Sequence, residues 1–101
     1  MFYNVLKLKD LINLNGNDLE RKVLLQNGNS LIELIAIKKE EIIDTHTSTS
    51  DVMLYIIDGE LELHFEAEKF KIDKGEILMF KKDRAHKVLA LKDSKFMLIK
   101  I

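Results

Sequence analysis

The sequence contains no cysteine and no proline, and it has four glycines in 101 residues. Without cysteine the chain cannot form disulfides, thiolate zinc sites or iron–sulfur clusters, and it has no cysteine nucleophile. The absence of cysteine also fits a reducing compartment, so we expect a cytoplasmic protein. Without proline, the turns must depend on glycine, asparagine and aspartate.

Neither sign of charge dominates, because 16 basic and 17 acidic residues give a net charge of −1. This balance argues against binding to nucleic acid or to a membrane surface through an overall positive field. No apolar run approaches the ~20 residues that cross a bilayer. The first ten residues lack the features of a secretory signal peptide. We therefore expect a protein that binds neither nucleic acid nor membrane.

Alternation of apolar and polar residues is the main pattern along the chain. In residues 60–66, Leu61, Leu63 and Phe65 share one face, and charged or polar residues share the other. This alternation is typical of a half-buried strand. The same reasoning predicts strands at 22–26, 30–38, 41–46, 51–58, 60–66, 68–73, 76–80, 85–91 and 95–101. Short strands at this spacing predict an all-β fold, an antiparallel sandwich or barrel.

The N-terminal segment differs from the rest. Residues 4–14 place several leucines and isoleucines at helical spacing, but the segment is too short for a stable helix alone. We therefore expect a short helical or irregular arm over residues 1–20 that packs on the barrel, and a barrel over residues 21–101.

The small size of the core predicts self-association. A chain of 101 residues builds one domain with a small hydrophobic core. The predicted strand at 22–26 carries Val23, Leu24 and Leu25, and an apolar edge strand invites pairing with a second chain. We therefore expect a homodimer.

Two segments between residues 41 and 91 place histidine and glycine at a fixed spacing. Gly59 closes the first segment, and the positions that precede it at that spacing hold His46, Ser48 and Val52, with Glu40 at the opening position. This register resembles the first motif of the cupin family, which has glycine at both ends and two histidines and a glutamate between them. Here one histidine is kept, and Ser48 and Val52 stand at the second histidine and glutamate positions.

The second segment resembles the second cupin motif. Gly75 stands at the opening glycine and His86 at the histidine. The proline, second glycine and asparagine positions hold Lys81, Asp83 and Ala90. The resemblance covers most of the chain. It implies a small single-domain cupin, whose fold is a jelly-roll barrel or double-stranded β-helix.

The resemblance also implies that His46 and His86 meet at the mouth of the barrel. Two imidazoles at the mouth of an apolar cavity favour binding of a small organic or anionic ligand. Ser48 flanks this site, and Tyr55 adds a hydroxyl group if it faces inward. A binding protein is therefore our first interpretation of the sequence.

An enzyme is the alternative interpretation. A divalent transition metal at His46 and His86, with Asp44 as a third ligand on the same strand face, would support oxygenase, lyase or isomerase chemistry. Acid–base chemistry by the two histidines without a metal is also open. By contrast, His64 alternates with core residues, and we expect it on the solvent-exposed face.

Overall fold

Residues 3–101, which the computed structural model describes, form two antiparallel sheets made of nine strands. The strands are β1 (Leu19–Asn27), β2 (Ser30–Ile37), β3 (Ile42–His46), β4 (Val52–Asp58), β5 (Glu60–His64), β6 (Lys69–Asp73), β7 (Ile77–Phe80), β8 (His86–Ala90) and β9 (Ser94–Lys100). The predicted all-β fold is confirmed. β1 begins at Leu19, so it includes two residues that the sequence analysis assigned to the arm.

The two sheets face each other as the walls of a jelly-roll barrel. The five-stranded sheet has the order β1-β2-β9-β4-β7, and the four-stranded sheet has the order β3-β8-β5-β6. Strands that follow one another in sequence, such as β2 and β3 or β8 and β9, lie in different sheets. These crossovers close the sheets on each other, as the predicted barrel requires.

The core lies between the two sheets and follows the alternation of the strands. Leu54 and Ile56 on β4, Leu61 and Leu63 on β5, and Phe96 on β9 are each no more than 1% exposed. Burying a leucine, isoleucine or phenylalanine side chain contributes about 1.5–3 kcal/mol each. The alternating positions therefore hold the sheets together and leave the opposite strand faces for other contacts.

The N-terminal arm covers part of the outer face of the five-stranded sheet. Ile12 is buried against Leu34 and Ala36, two β2 residues whose side chains point away from the barrel interior. The arm contains a single 3-10 turn, Leu8–Asp10, rather than a longer helix. The ammonium group of Lys95 donates to the carbonyl of Lys9 at 2.8 Å, so the sheet supplies a hydrogen bond that fixes the arm. None of the helices in the described part of the chain is both long and apolar enough to span a membrane.

The turn between β4 and β5 depends on Gly59. Its φ is +95°, and a Cβ atom there would lie 2.5 Å from the carbonyl oxygen of Asp93 and 2.7 Å from the Cα of Ser94. Ser94 in turn accepts a hydrogen bond from the amide of Glu60 at 2.9 Å. The turn therefore packs directly on the start of β9, and no side chain fits between them.

We predict that Gly59→Ala destabilises the protein much more than Gly75→Ala. Gly75 also has a positive φ, +85°, but open space surrounds its would-be Cβ. Gly75→Ala should therefore cost only the backbone term, about 1–2 kcal/mol. Gly59→Ala should cost about 2 kcal/mol more, because overpacking adds to that term. Urea denaturation of both variants measures the difference, and equal losses would contradict the close packing at Gly59.

Candidate functional site

His46 and His86 lie directly opposite each other at the ends of β3 and β8. Their ring centroids are 4.2 Å apart, with the rings tilted by 58°. His86 is 5% exposed, whereas His46 is exposed to solvent. The structure therefore brings the two sequence-predicted histidines together, with His46 at the surface and His86 beneath it.

An irregularity in β3 turns His46 toward the interior. Ile43 lies opposite Val88 and His46 lies opposite His86, so β3 uses three residue steps where β8 uses two. The extra residue is a β-bulge, which re-aims the side chains that follow it. As a result, Ile43 and His46 both line the barrel cavity, although residues three apart in a regular strand point to opposite faces.

Each histidine is fixed by the carbonyl group two residues before it. Nδ1 of His46 donates to the carbonyl of Asp44 at 2.8 Å, and Nδ1 of His86 donates to the carbonyl of Arg84 at 2.9 Å. A carbonyl oxygen only accepts, so Nδ1 must carry the proton in both rings. In the neutral rings the Nε2 atoms then carry free lone pairs, which can accept a hydrogen bond or bind a metal.

A second contact holds the two histidine-bearing segments together. The amide of Asp83 donates to the carbonyl of Ser48 at 2.8 Å. The Ser48 hydroxyl accepts from the amide of Ser50 at 3.1 Å. Ser48 therefore lies beside the site, but its polar atoms serve the backbone of the loop, and its side chain is not among those that line the cavity.

The structure places Asp44 and Tyr55 away from the cavity. The Asp44 carboxylate accepts from the amide of Thr45 at 2.8 Å, and the bulge removes the shared parity with His46 on which its prediction depended. Tyr55 alternates with the buried residues Leu54 and Ile56, so its side chain points to the outer face of the sheet. Neither residue joins the two histidines.

The cavity behind the histidines has a volume of about 140 Å³. Its deeper wall is apolar and includes Ile35, Leu54, Leu63 and Phe96. Phe80 packs against the His86 ring at a centroid distance of 4.7 Å. This volume is below the ~300 Å³ at which drug-sized pockets begin, so the cavity suits a small ligand.

Three charged residues, which the sequence analysis did not single out, also stand at the mouth. Arg21 and Lys100 line the same cavity as the histidines, and Glu33 lies between them. Glu33 is 5% exposed, with its carboxylate 3.2 Å from Arg21 Nη1 and 3.8 Å from Lys100 Nζ. A charged residue at an apolar position of the alternating pattern could have revealed this group. Glu33 shares the strand face of Ile35 and Ile37 and is such a residue.

The described residues do not fit a complete metal centre. In residues 3–101, no three histidine, aspartate or glutamate side chains converge closely enough to hold a metal ion. Structural and catalytic zinc sites use three or four protein ligands. His46 and His86 supply two nitrogen ligands, so a metal there would need water or a ligand molecule to complete its shell.

Two motif positions that hold glycine in cupins keep a left-handed backbone here. Glu40 has φ 75° and Asp83 has φ 65°. Aspartate tolerates this conformation better than most residues, and for glutamate it is strained. The amide of Glu40 donates to the carbonyl of Ala90 at 2.8 Å, which holds the turn in place. The backbone geometry of the motif is therefore kept although its glycines are not.

The structure resembles solved cupins over nearly its whole length. A cupin superfamily protein from Desulfitobacterium hafniense matches with a TM-score of 0.91 and 21% identity, over 98% of this chain and 91% of that one. A conserved protein of unknown function from Streptococcus pyogenes matches with a TM-score of 0.92 and 20% identity, over 100% of this chain and 89% of that one.

A third solved structure agrees, a cupin-2 domain protein from Shewanella frigidimarina. It matches with a TM-score of 0.80 and 20% identity, over 95% of this chain and 93% of that one. No protein-family model and no curated protein matches the sequence. The chain is a two-sheet jelly roll of the cupin type. The expected fold of a small, single cupin barrel is thereby confirmed.

We predict that the stability of the protein falls as the pH drops below about 6.5. Burial lowers the pKa of His86 from its ordinary value of 6.5, and the charges of His46 and Lys100 add to this effect. The unfolded chain therefore takes up a proton on this residue before the folded chain does. The contribution of His86 to the free energy of unfolding is complete at a pH above its pKa in the unfolded chain. It decreases as the pH falls from that pKa toward the lower pKa in the folded chain.

Urea denaturation at about pH 7.5 and about pH 5.5 measures this loss. The pKa values of Asp51 and Glu60 lie below ordinary values of 3.8 and 4.5, so these groups lose their stabilising effect only at lower pH. His86→Phe, or His86→Gln if the first variant is unstable, should show a smaller loss. Equal losses in the wild type and in the variant would contradict a contribution from His86.

Proposed function

We propose that the chain is a cytoplasmic binding protein that holds a small organic or anionic ligand in the barrel, with His46 and His86 as its polar contacts. The observation that carries this proposal is the state of the two histidines. Backbone carbonyls fix both Nδ1 atoms, which leaves both Nε2 lone pairs for a ligand at the mouth of an apolar cavity.

The cavity volume limits the ligand. About 140 Å³ corresponds to about five water molecules at ~30 Å³ each. That space holds a molecule on the order of five to eight non-hydrogen atoms. Its apolar part would contact the aliphatic wall, and a hydroxyl or acid proton would donate to the Nε2 atoms. Such a combination of an apolar wall with few polar groups is typical of small-molecule sites.

A metal-dependent enzyme is the second candidate. The two free Nε2 atoms favour it, since they are suited to a divalent transition metal. The ligand set opposes it, because no third acidic or histidine side chain converges with them in residues 3–101. We therefore favour a binding protein over a metal-dependent oxygenase, lyase or isomerase.

We predict that small acids and their amides bind the chain at the histidines. Addition of lactate and lactamide, whose hydroxyl groups can donate to Nε2, to isotope-labelled protein should give saturable NMR shifts at His46 and His86. His46→Ala should weaken binding roughly tenfold, because it removes a hydrogen-bond acceptor from the mouth. His64→Gln is the matched control, since His64 lies on the outer face and pairs with Glu62.

The same titration with Zn²⁺ and Co²⁺ separates the two candidates. Stoichiometric, tight metal binding that His86→Ala abolishes, together with loss of the organic-ligand shifts in metal-free protein, would support the enzyme. Shifts with the organic probes in metal-free protein support the binding protein. Absence of any saturable shift with those probes would overturn it.

We propose further that two chains associate through β1. In residues 3–101, β2 is the single strand that pairs with β1, so the other edge of β1 is available to a partner strand. Val23 and Leu25 on this edge are 50% and 47% exposed. An apolar groove of about 300 Å³ begins at Leu25 and runs to Ile99 and Ile101 on the same sheet. A second copy offers the same edge and the same apolar surface, so each copy would cover the other.

We predict that the wild-type chain is a dimer by light scattering and that Val23→Glu/Leu25→Glu makes it a monomer. The two carboxylates would have to be buried at the interface without partners, which opposes association. Lys74→Glu, in the exposed turn after β6 and outside this groove, is the control and should remain dimeric. A wild-type chain that is monomeric at high concentration would contradict this assembly.

A further inference from the structure

The charged residues at the mouth face the two histidines across the cavity. Arg21, Glu33 and Lys100 belong to the five-stranded sheet, whereas His46 and His86 belong to the four-stranded sheet. Lys100 is close enough to His86 for its charge to disfavour protonation of that ring. A ligand that contacts the histidines therefore lies within reach of the cations.

The charges within this group do not cancel. Glu33 is the sole acidic partner within 4.0 Å of either Arg21 or Lys100 among residues 3–101, so one positive charge is left uncompensated. Arg21 is hydrogen-bonded to Glu33 at 3.2 Å. The Lys100 ammonium, at 3.8 Å, lies beyond hydrogen-bond distance of that carboxylate. Lys100 thus has donors directed at the cavity region that the described residues do not use.

The position of Lys100 also changes the type of ion that the mouth attracts. Lys100 lies directly opposite Val52, the residue at the motif position that holds a glutamate in metal-binding cupins. An apolar side chain has replaced the expected carboxylate, and a cation lies on the neighbouring strand. The field at the histidines therefore repels a divalent cation and attracts an anion.

We propose that Lys100 and Arg21 form a carboxylate subsite opposite the histidine pair, and that Glu33 is its internal counterion. The inference rests on the proposed binding function and specifies its ligand class, a small monocarboxylate. The ligand carboxylate accepts from the Lys100 ammonium and from the exposed edge of Arg21, whose side chain is 45% exposed. A hydroxyl group on the same ligand donates to Nε2 of the histidines. Glu33 holds the cations in place and, being of like charge, limits the affinity.

A comparison of lactate with lactamide tests the subsite, because both probes carry the hydroxyl group that donates to Nε2 and they differ in charge at the carboxyl carbon. We use the full chain at about pH 7.5 and measure dissociation constants from NMR shifts. The wild type should prefer lactate roughly tenfold, since a charge-assisted hydrogen bond is stronger than a neutral one. Lys100→Met should remove this preference. Lys69→Met, which removes an exposed lysine from the outer face of the other sheet, should keep it.

Glu33→Gln supplies a second test, because it changes the ratio of the two affinities only if Glu33 competes with the ligand for the cations. Removal of the competing carboxylate should raise lactate affinity severalfold and leave lactamide affinity unchanged. If Glu33 serves only to stabilise the barrel, the variant lowers the urea midpoint and does not change the ratio of the two affinities. Such a result would overturn the counterion role.

The outcomes also separate this inference from the proposed function. If both probes shift the signals of His46 and His86 with equal affinity, or if Lys100→Met keeps the preference, the carboxylate subsite is overturned and the binding function stands. If neither probe gives saturable shifts, both are overturned.

Discussion

The structure depends on one geometric constraint, the alternation of side chains along strands that pack face to face. Every second residue must enter the space between the sheets, and a charge placed there costs several kcal/mol unless it is paired or reaches water. Deep positions such as Ile56, Leu61 and Phe96 are consequently apolar. Charged residues occur in the same phase where they are paired, as with the buried Glu33, or partly exposed to water, as with Lys100. The gradient from an apolar floor to a charged mouth follows from access to solvent.

Local patterns predicted the strands well because alternation is visible within six or seven residues. The segment 60–66 shows this clearly, and β5 and its neighbours formed where the pattern placed them. The meeting of His46 and His86 was expected only from the resemblance to cupins, since 40 residues separate them in sequence. Spacing alone does not show which hairpins become neighbours. The strand pairing of β3 with β8 supplies that information.

Two physical causes explain why the sequence analysis misplaced one residue and missed three others. Asp44 was assigned by parity, and a bulge cancels parity because it inserts one residue into β3. Arg21, Glu33 and Lys100 are remote from each other in sequence, and each looked like an ordinary surface charge. Their significance comes from the pairing of β2 with both β1 and β9, which places all three at one end of the barrel. A charge in the core phase of a strand was the available signal.

The charge pattern at the mouth determines what the barrel can hold. A metal site needs ligands that are negative or neutral around a cation. Here the buried Val52 stands at the position where the resemblance to cupins implies a carboxylate, and Lys100 is paired with it on the neighbouring strand. The histidines keep their orientation because each is fixed by its own backbone carbonyl, independently of any metal. An uncompensated cation beside two imidazoles of fixed orientation favours an anion over a divalent cation at this mouth.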